Sequence, residues 1–116
     1  MSDEWAHVGA DRDVPLSAPW PEVTVGGEAV ALVRDDAGRI HAVRSSCPHL
    51  RSPMTRATVA DDSIECSRHF YTYDLATGRN TFPGDEVDLA LPIHDVEIRD
   101  GQVWVRAKPT AVTPEA

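Results

Sequence analysis

The chain has only two cysteines, Cys47 and Cys66, among its 116 residues. A disulfide-dense secreted scaffold is therefore excluded. Basic residues are also scarce: 11 Lys and Arg stand against 19 Asp and Glu, for a net charge of −8. A basic groove for nucleic acid is not expected. No apolar run approaches the roughly 18 residues needed to span a membrane, so no membrane partner is expected. The start, Met1 to Trp5, has neither a basic flank nor an apolar core. No secretory signal is expected from this, and the expected setting is cytoplasmic. There is no glycine-rich phosphate loop and no nucleophile elbow, so nothing supports hydrolysis. At 12.7 kDa the chain is too short for a catalytic barrel or a two-domain dehydrogenase. Residues 1–116 read as one domain.

What is present reads as strands. No stretch has a convincing helical period, and nine prolines and seven glycines punctuate the chain. Strands are expected at Glu4–Val8, Glu22–Val25, Glu28–Arg34, Ile40–Arg44, Ser63–Cys66, Phe70–Asp74, Ile93–Ile98 and Gln102–Ala107. Gly26-Gly27 between two of them is a strong hairpin signal. Gly9 to Pro21 should be loop, and turns are expected at 35–38, 75–78, 83–85 and 99–101. The first and last strands should pair. The tail from about Lys108, with Pro109 and Pro114, should fray. The fold class is all-β, a small antiparallel sandwich or barrel.

The two cysteines stand close to histidines: Cys47-Pro48-His49 and Cys66-Ser67-Arg68-His69. Sixteen residues lie between His49 and Cys66. Each pair can chelate a metal from one loop, and two such loops can clamp a binuclear centre. Three chemistries use these residue types. A Cys47–Cys66 disulfide leaves the histidines unexplained and suits an oxidising compartment. Tetrahedral zinc accepts two cysteines and two histidines, but a zinc finger groups its cysteines together and its histidines on a helix. A [2Fe–2S] cluster can take two thiolates on one iron and two imidazoles on the other. Such a cluster carries no net charge when oxidised, because neutral imidazoles replace two thiolates. It therefore accepts an electron more readily, at about −150 to +300 mV against about −400 mV for four-cysteine plant-type clusters.

The two Cys–His loops resemble the cluster-binding loops of the Rieske ferredoxins, from about Glu4 to Lys108. The resemblance implies a Rieske-type antiparallel β sandwich with a cluster-binding subdomain formed by two loops. It implies one [2Fe–2S] cluster, with Cys47 and Cys66 on one iron and His49 and His69 on the other. Pro83-Gly84-Asp85 resembles a third loop, whose proline covers the cluster. Many relatives have glycine where this chain has Arg51 and, directly after the second histidine, Phe70. A bulky residue at Phe70 resembles the ferredoxins of the soluble diiron monooxygenases that oxidise toluene and alkenes. On that resemblance the protein is no enzyme itself but a monomeric one-electron carrier. Its donor would be an NADH-dependent flavin- and iron–sulfur-containing reductase, and its acceptor a diiron hydroxylase. The alternative is the ferredoxin of a ring-hydroxylating Rieske dioxygenase, and a further one is a zinc-bound interaction module. Ser52 and Tyr71 do not match the hydroxyls that raise the potential in relatives, so a low value is expected.

The remaining candidates are read plainly. Arg51 and Arg68 flank the ligand histidines and, with Phe70, are candidates for partner docking. His7, His41 and His94 have no cysteine neighbours and read as surface or strand residues. Phe70, Tyr71 and Tyr73 read as packing, and Trp104, in a valine-rich strand, reads as core. Trp5 and Trp20 receive no assignment.

Overall fold

The computed structural model describes residues 5–46, 53–66, 72–79 and 91–107. The strands are β1 (Trp5–Ala10), β2 (Glu22–Val25), β3 (Glu28–Arg34), β4 (Ile40–Arg44), β5 (Thr58–Ala60), β6 (Ser63–Glu65), β7 (Thr72–Asp74), β8 (Ile93–His94), β9 (Val96–Arg99) and β10 (Gln102–Arg106). Short 3₁₀ turns cover Asp11–Asp13 and Met54–Arg56. The strands form three antiparallel sheets in the orders β1-β10-β9, β2-β3-β4-β8 and β5-β6-β7. The all-β class and the pairing of first with last strand are both borne out. No helix among the described residues is long and apolar enough to cross a membrane.

The middle sheet explains the rest. β3 reads Glu-Ala-Val-Ala-Leu-Val-Arg, an apolar run without alternation. Such a run fits a strand covered on both faces. Val30 and Leu32 join Ala42, Val25, Val103 and Val105 in one core. Ala31 and Val33 join Val43, Ile64, Cys66 and Tyr73 in a second core. The β1-β10-β9 sheet thus covers one face and the β5-β6-β7 sheet the other. Gly26 and Gly27 both have positive φ, 58° and 84°, as the tight turn between β2 and β3 requires.

Four expectations are corrected. Ile93–Ile98 is not one strand. β8 pairs with β4 and β9 with β10, and the chain changes sheet at Asp95. The Arg106 backbone N–H donates to the Asp95 carbonyl (2.9 Å), and the Arg106 guanidinium to the Asp95 carboxylate (2.8 Å), which fixes the crossing. Second, Thr58–Ala60 is a strand that the sequence reading missed. Third, Trp104 is not core. It is half-buried on the outer face of β10, with its ring 5.1 Å from His7 and the Arg99 guanidinium 5.1 Å over it. The two valines beside it, Val103 and Val105, hold the inner face instead. β1 also runs on to Ala10, so the loop expected from Gly9 begins two residues later. The turn at 83–85 and the tail from Lys108 lie outside the described residues.

Candidate metal centre

Cys66 directly follows β6 and is fully buried. Cys66 takes part in no disulfide. Its surroundings are apolar: Met54, Ile64, Tyr73, Leu91 and Ile93 belong to the same core. The other three ligand candidates, Cys47, His49 and His69, lie outside the described residues. So do Pro83, Arg51, Arg68 and Phe70. What the structure gives instead is the footing on which these segments stand.

The segment carrying Cys47 and His49 leaves at Ser46 and returns at Pro53, and these two residues form a β-bridge. The Met54 N–H donates to the Ser45 carbonyl at 2.6 Å, closing the same neck. Ser45 is itself fixed twice: its N–H donates to the Ala29 carbonyl (2.8 Å) and its hydroxyl to Glu22 (2.7 Å). The segment carrying His69 begins after Cys66 and ends where Thr72 pairs with Glu65. The segment carrying Pro83 leaves after Arg79 and returns at Leu91. There the Leu91 N–H donates to the Gly78 carbonyl (2.8 Å). A side chain at Gly78 would run into the Leu91 carbonyl and Ile93, and its φ of +79° also favours glycine. Met54, Cys66, Tyr73 and Leu91 share one core, so all three necks meet in it.

The donor set suits an iron–sulfur cluster. Two thiolates and two imidazoles can bind the two irons of such a cluster, the thiolates balancing the charge left by its two sulfides, and the one described thiol is shielded from water. Among the described residues no group of three or more His, Cys, Asp or Glu makes another metal site.

His41 and His94 line one cavity of about 220 Å3 with Ile40, Leu75, Ala76, Ile93, Asp95 and Val96. Both rings are engaged. His41 Nε2–H donates to Asp35 (2.8 Å), and His94 Nδ1–H to the Arg106 carbonyl (2.7 Å). Burial pushes the Asp35 carboxyl up. The His41 hydrogen bond, the Arg39 and Ala37 backbone N–H groups and the His41 charge outweigh it, so Asp35 titrates below 3.8. His7 is exposed and bonded to Gln102 at 2.7 Å. The plain reading of the three histidines holds.

The Rieske [2Fe-2S] domain family matches residues 4–87. The chain belongs to that family. As a Rieske domain it holds one [2Fe–2S] cluster. The glycine betaine monooxygenase oxygenase subunit of Chromohalobacter salexigens is 32% identical over 95% of this chain, but only 23% of that protein is covered. The chain spans about a quarter or less of the first curated relatives it matches (23%, 18% and 23%). Ferredoxin CarAc of Metapseudomonas resinovorans is 25% identical over 90% of this chain and 95% of its own length. The fold matches a chain in the complex of reduced oxygenase and oxidised ferredoxin of carbazole 1,9a-dioxygenase. That match has a TM-score of 0.77, 23% identity, and coverage of 95% and 99%. The resemblance read from the two Cys–His loops is thereby borne out at the level of the Rieske family.

Ser45, Glu22 and Gly78, which fix the necks, carried no functional signal in the sequence; Glu22 was read only as the start of a strand and Gly78 as part of a turn.

Proposed function

We propose that this protein is a one-electron carrier of the Rieske-ferredoxin type, serving the terminal oxygenase of a ring-hydroxylating dioxygenase. Its donor is an NADH-dependent reductase with flavin and iron–sulfur centres. The observation that carries this reading is the end-to-end match to ferredoxin CarAc, 90% of this chain against 95% of that one. The oxygenase subunit above shares higher identity, but over less than a quarter of its length.

In this reading Cys47 and Cys66 bind one iron, and His49 and His69 the other. Pro83 covers the cluster. When bound, the cluster takes up and releases one electron. The chain's own part is to hold it. Cys66 supplies a thiol from a dry core in which the necks of the ligand segments meet. All four donors are engaged, which leaves no coordination position for a substrate. That suits a carrier and not a catalyst. Arg51, Arg68 and Phe70, next to the histidine ligands in sequence, are the proposed docking residues.

The second reading, delivery to a diiron hydroxylase of the toluene or alkene monooxygenase kind, rests on Phe70. One position weighs less than a likeness along the whole chain, so the ring-hydroxylating system is preferred. Stopped-flow mixing separates the two. The reduced protein should be oxidised rapidly by a Rieske-type terminal oxygenase and slowly by a diiron hydroxylase. The reverse order overturns the choice of acceptor.

A further inference from the structure

We infer that Trp20 is a positioning residue for the cluster, acting through the chain that follows the first ligand segment; this rests on the ligand assignment proposed above. Trp20 sits between the Asp11–Asp13 turn and β2, far from both Cys–His pairs in sequence. It is nonetheless buried, 4% exposed, in the same core as Met54 and Cys66. Its backbone N–H donates to the Thr55 carbonyl at 2.7 Å. Its indole Nε1–H donates to the Ala57 carbonyl at 2.9 Å. Both acceptors belong to the 3₁₀ turn Met54–Arg56 or directly follow it.

That turn is the returning foot of the segment that carries Cys47 and His49. Ser45 holds the foot from the sheet side, through the Met54 N–H. Trp20 holds it from the other end, by two hydrogen bonds to carbonyls beyond Met54. Without the indole donor the Ala57 carbonyl loses a partner inside the core. The foot would then open more often, as a local event separate from global unfolding. Groups that orient metal ligands from outside the first coordination sphere commonly change metal affinity 10- to 100-fold when lost. Trp20 holds the ligand segment at one remove, so the low end of that range is expected.

The test compares Trp20→Phe with Trp104→Phe in the cluster-loaded protein. Trp104 lies on the outer face of β10, in neither of the two cores. Bleaching of the visible colour by an iron chelator should be about tenfold faster in W20F and within about twofold of the unaltered protein in W104F. The electron paramagnetic resonance line shape of the reduced cluster should change in W20F only. A purely structural role for Trp20 would lower the melting temperature and leave that line shape alone. A coloured W20F with unaltered bleaching and unaltered line shape overturns the inference while the ligand assignment stands. A colourless unaltered protein overturns the ligand assignment itself, and this inference with it. Should W20F not fold, the unaltered protein decides. Exchange of the Trp20 indole hydrogen and chelator bleaching should rise in parallel in sub-denaturing urea. Bleaching that rises while indole exchange does not would overturn the inference.

Discussion

The two sides of the central sheet are built differently. On one side β1, β10 and β9 cover the valine-rich core of Val25, Val30, Val103 and Val105. This side joins both ends of the described chain, since Trp5 pairs with Arg106. Its cross-links are many. Arg34 alone reaches the Val14, Gly38 and Asp11 carbonyls and the Asp11 carboxylate. On the other side stand three strands of three residues each. Strands of three residues are at the short end of the usual range and bury little surface among themselves. The meander they form stands because Ile64, Cys66 and Tyr73 pack on Ala31, Val33 and Val43 of the central sheet. All three necks meet in the core between this meander and the central sheet. The lesson is a division of labour: one side ties the ends of the described chain together, and the other carries Cys66 on a small sheet that depends on what it packs against.

Breaking the metal side at its centre should have the largest effect. Cys66→Ser keeps the size of the side chain and replaces the buried thiol. The protein should emerge without colour, and the amides of β5, β6 and β7 should exchange hydrogen far faster than those of β3 and β4. Metal binding is coupled to folding, so both losses should appear together. Hydrogen exchange read strand by strand checks this.

A matched pair of core truncations sharpens the comparison. Ile64→Ala and Leu32→Ala remove fully or nearly fully buried side chains from opposite sides of the central sheet. Each should cost about 2–5 kcal/mol of stability. Only Ile64→Ala should also speed chelator bleaching at a temperature where both variants are folded. Equal bleaching rates would erase the distinction between the two sides.

The smallest effect concerns a turn. Asp35 titrates below its ordinary value, so the unfolded chain takes up its proton more readily than the folded one. Its contribution to stability is complete above the ordinary carboxylate range and is lost as the pH falls through the lowered value. Asp35→Asn should cost about 1.5–3 kcal/mol at pH 7, the range for hydrogen bonds to a charged group. The difference from the unaltered protein should shrink below about pH 4, near the ordinary Asp value. Thermal unfolding at a series of pH values reads this out.

What could be read from the sequence follows a physical line. Features set by neighbouring residues were legible. Gly26-Gly27 marks its hairpin, and the apolar run of β3 marks a strand. Features set by distant contacts were not. Thr58–Ala60 is a strand only because β6 lies beside it. Ile93–Ile98 divides because Arg106, on another sheet, holds Asp95. Trp104 faces outward because Val103 and Val105 take the inner face of β10. The four ligand candidates were proposed from spacing, and of them only Cys66 lies among the described residues, where it is buried. The supports of the site were not legible, because Ser45–Glu22 and Trp20–Ala57 join residues 23 and 37 positions apart.

The central claim is that the smaller side of this fold holds one [2Fe–2S] cluster, bound by Cys47, His49, Cys66 and His69. Anaerobic purification with quantification of iron, zinc and acid-labile sulfide tests it most directly. The account predicts a red-brown protein with about two irons and two sulfides per chain, as one [2Fe–2S] centre requires, and all of them lost in Cys66→Ser. Stoichiometric zinc without sulfide would contradict it.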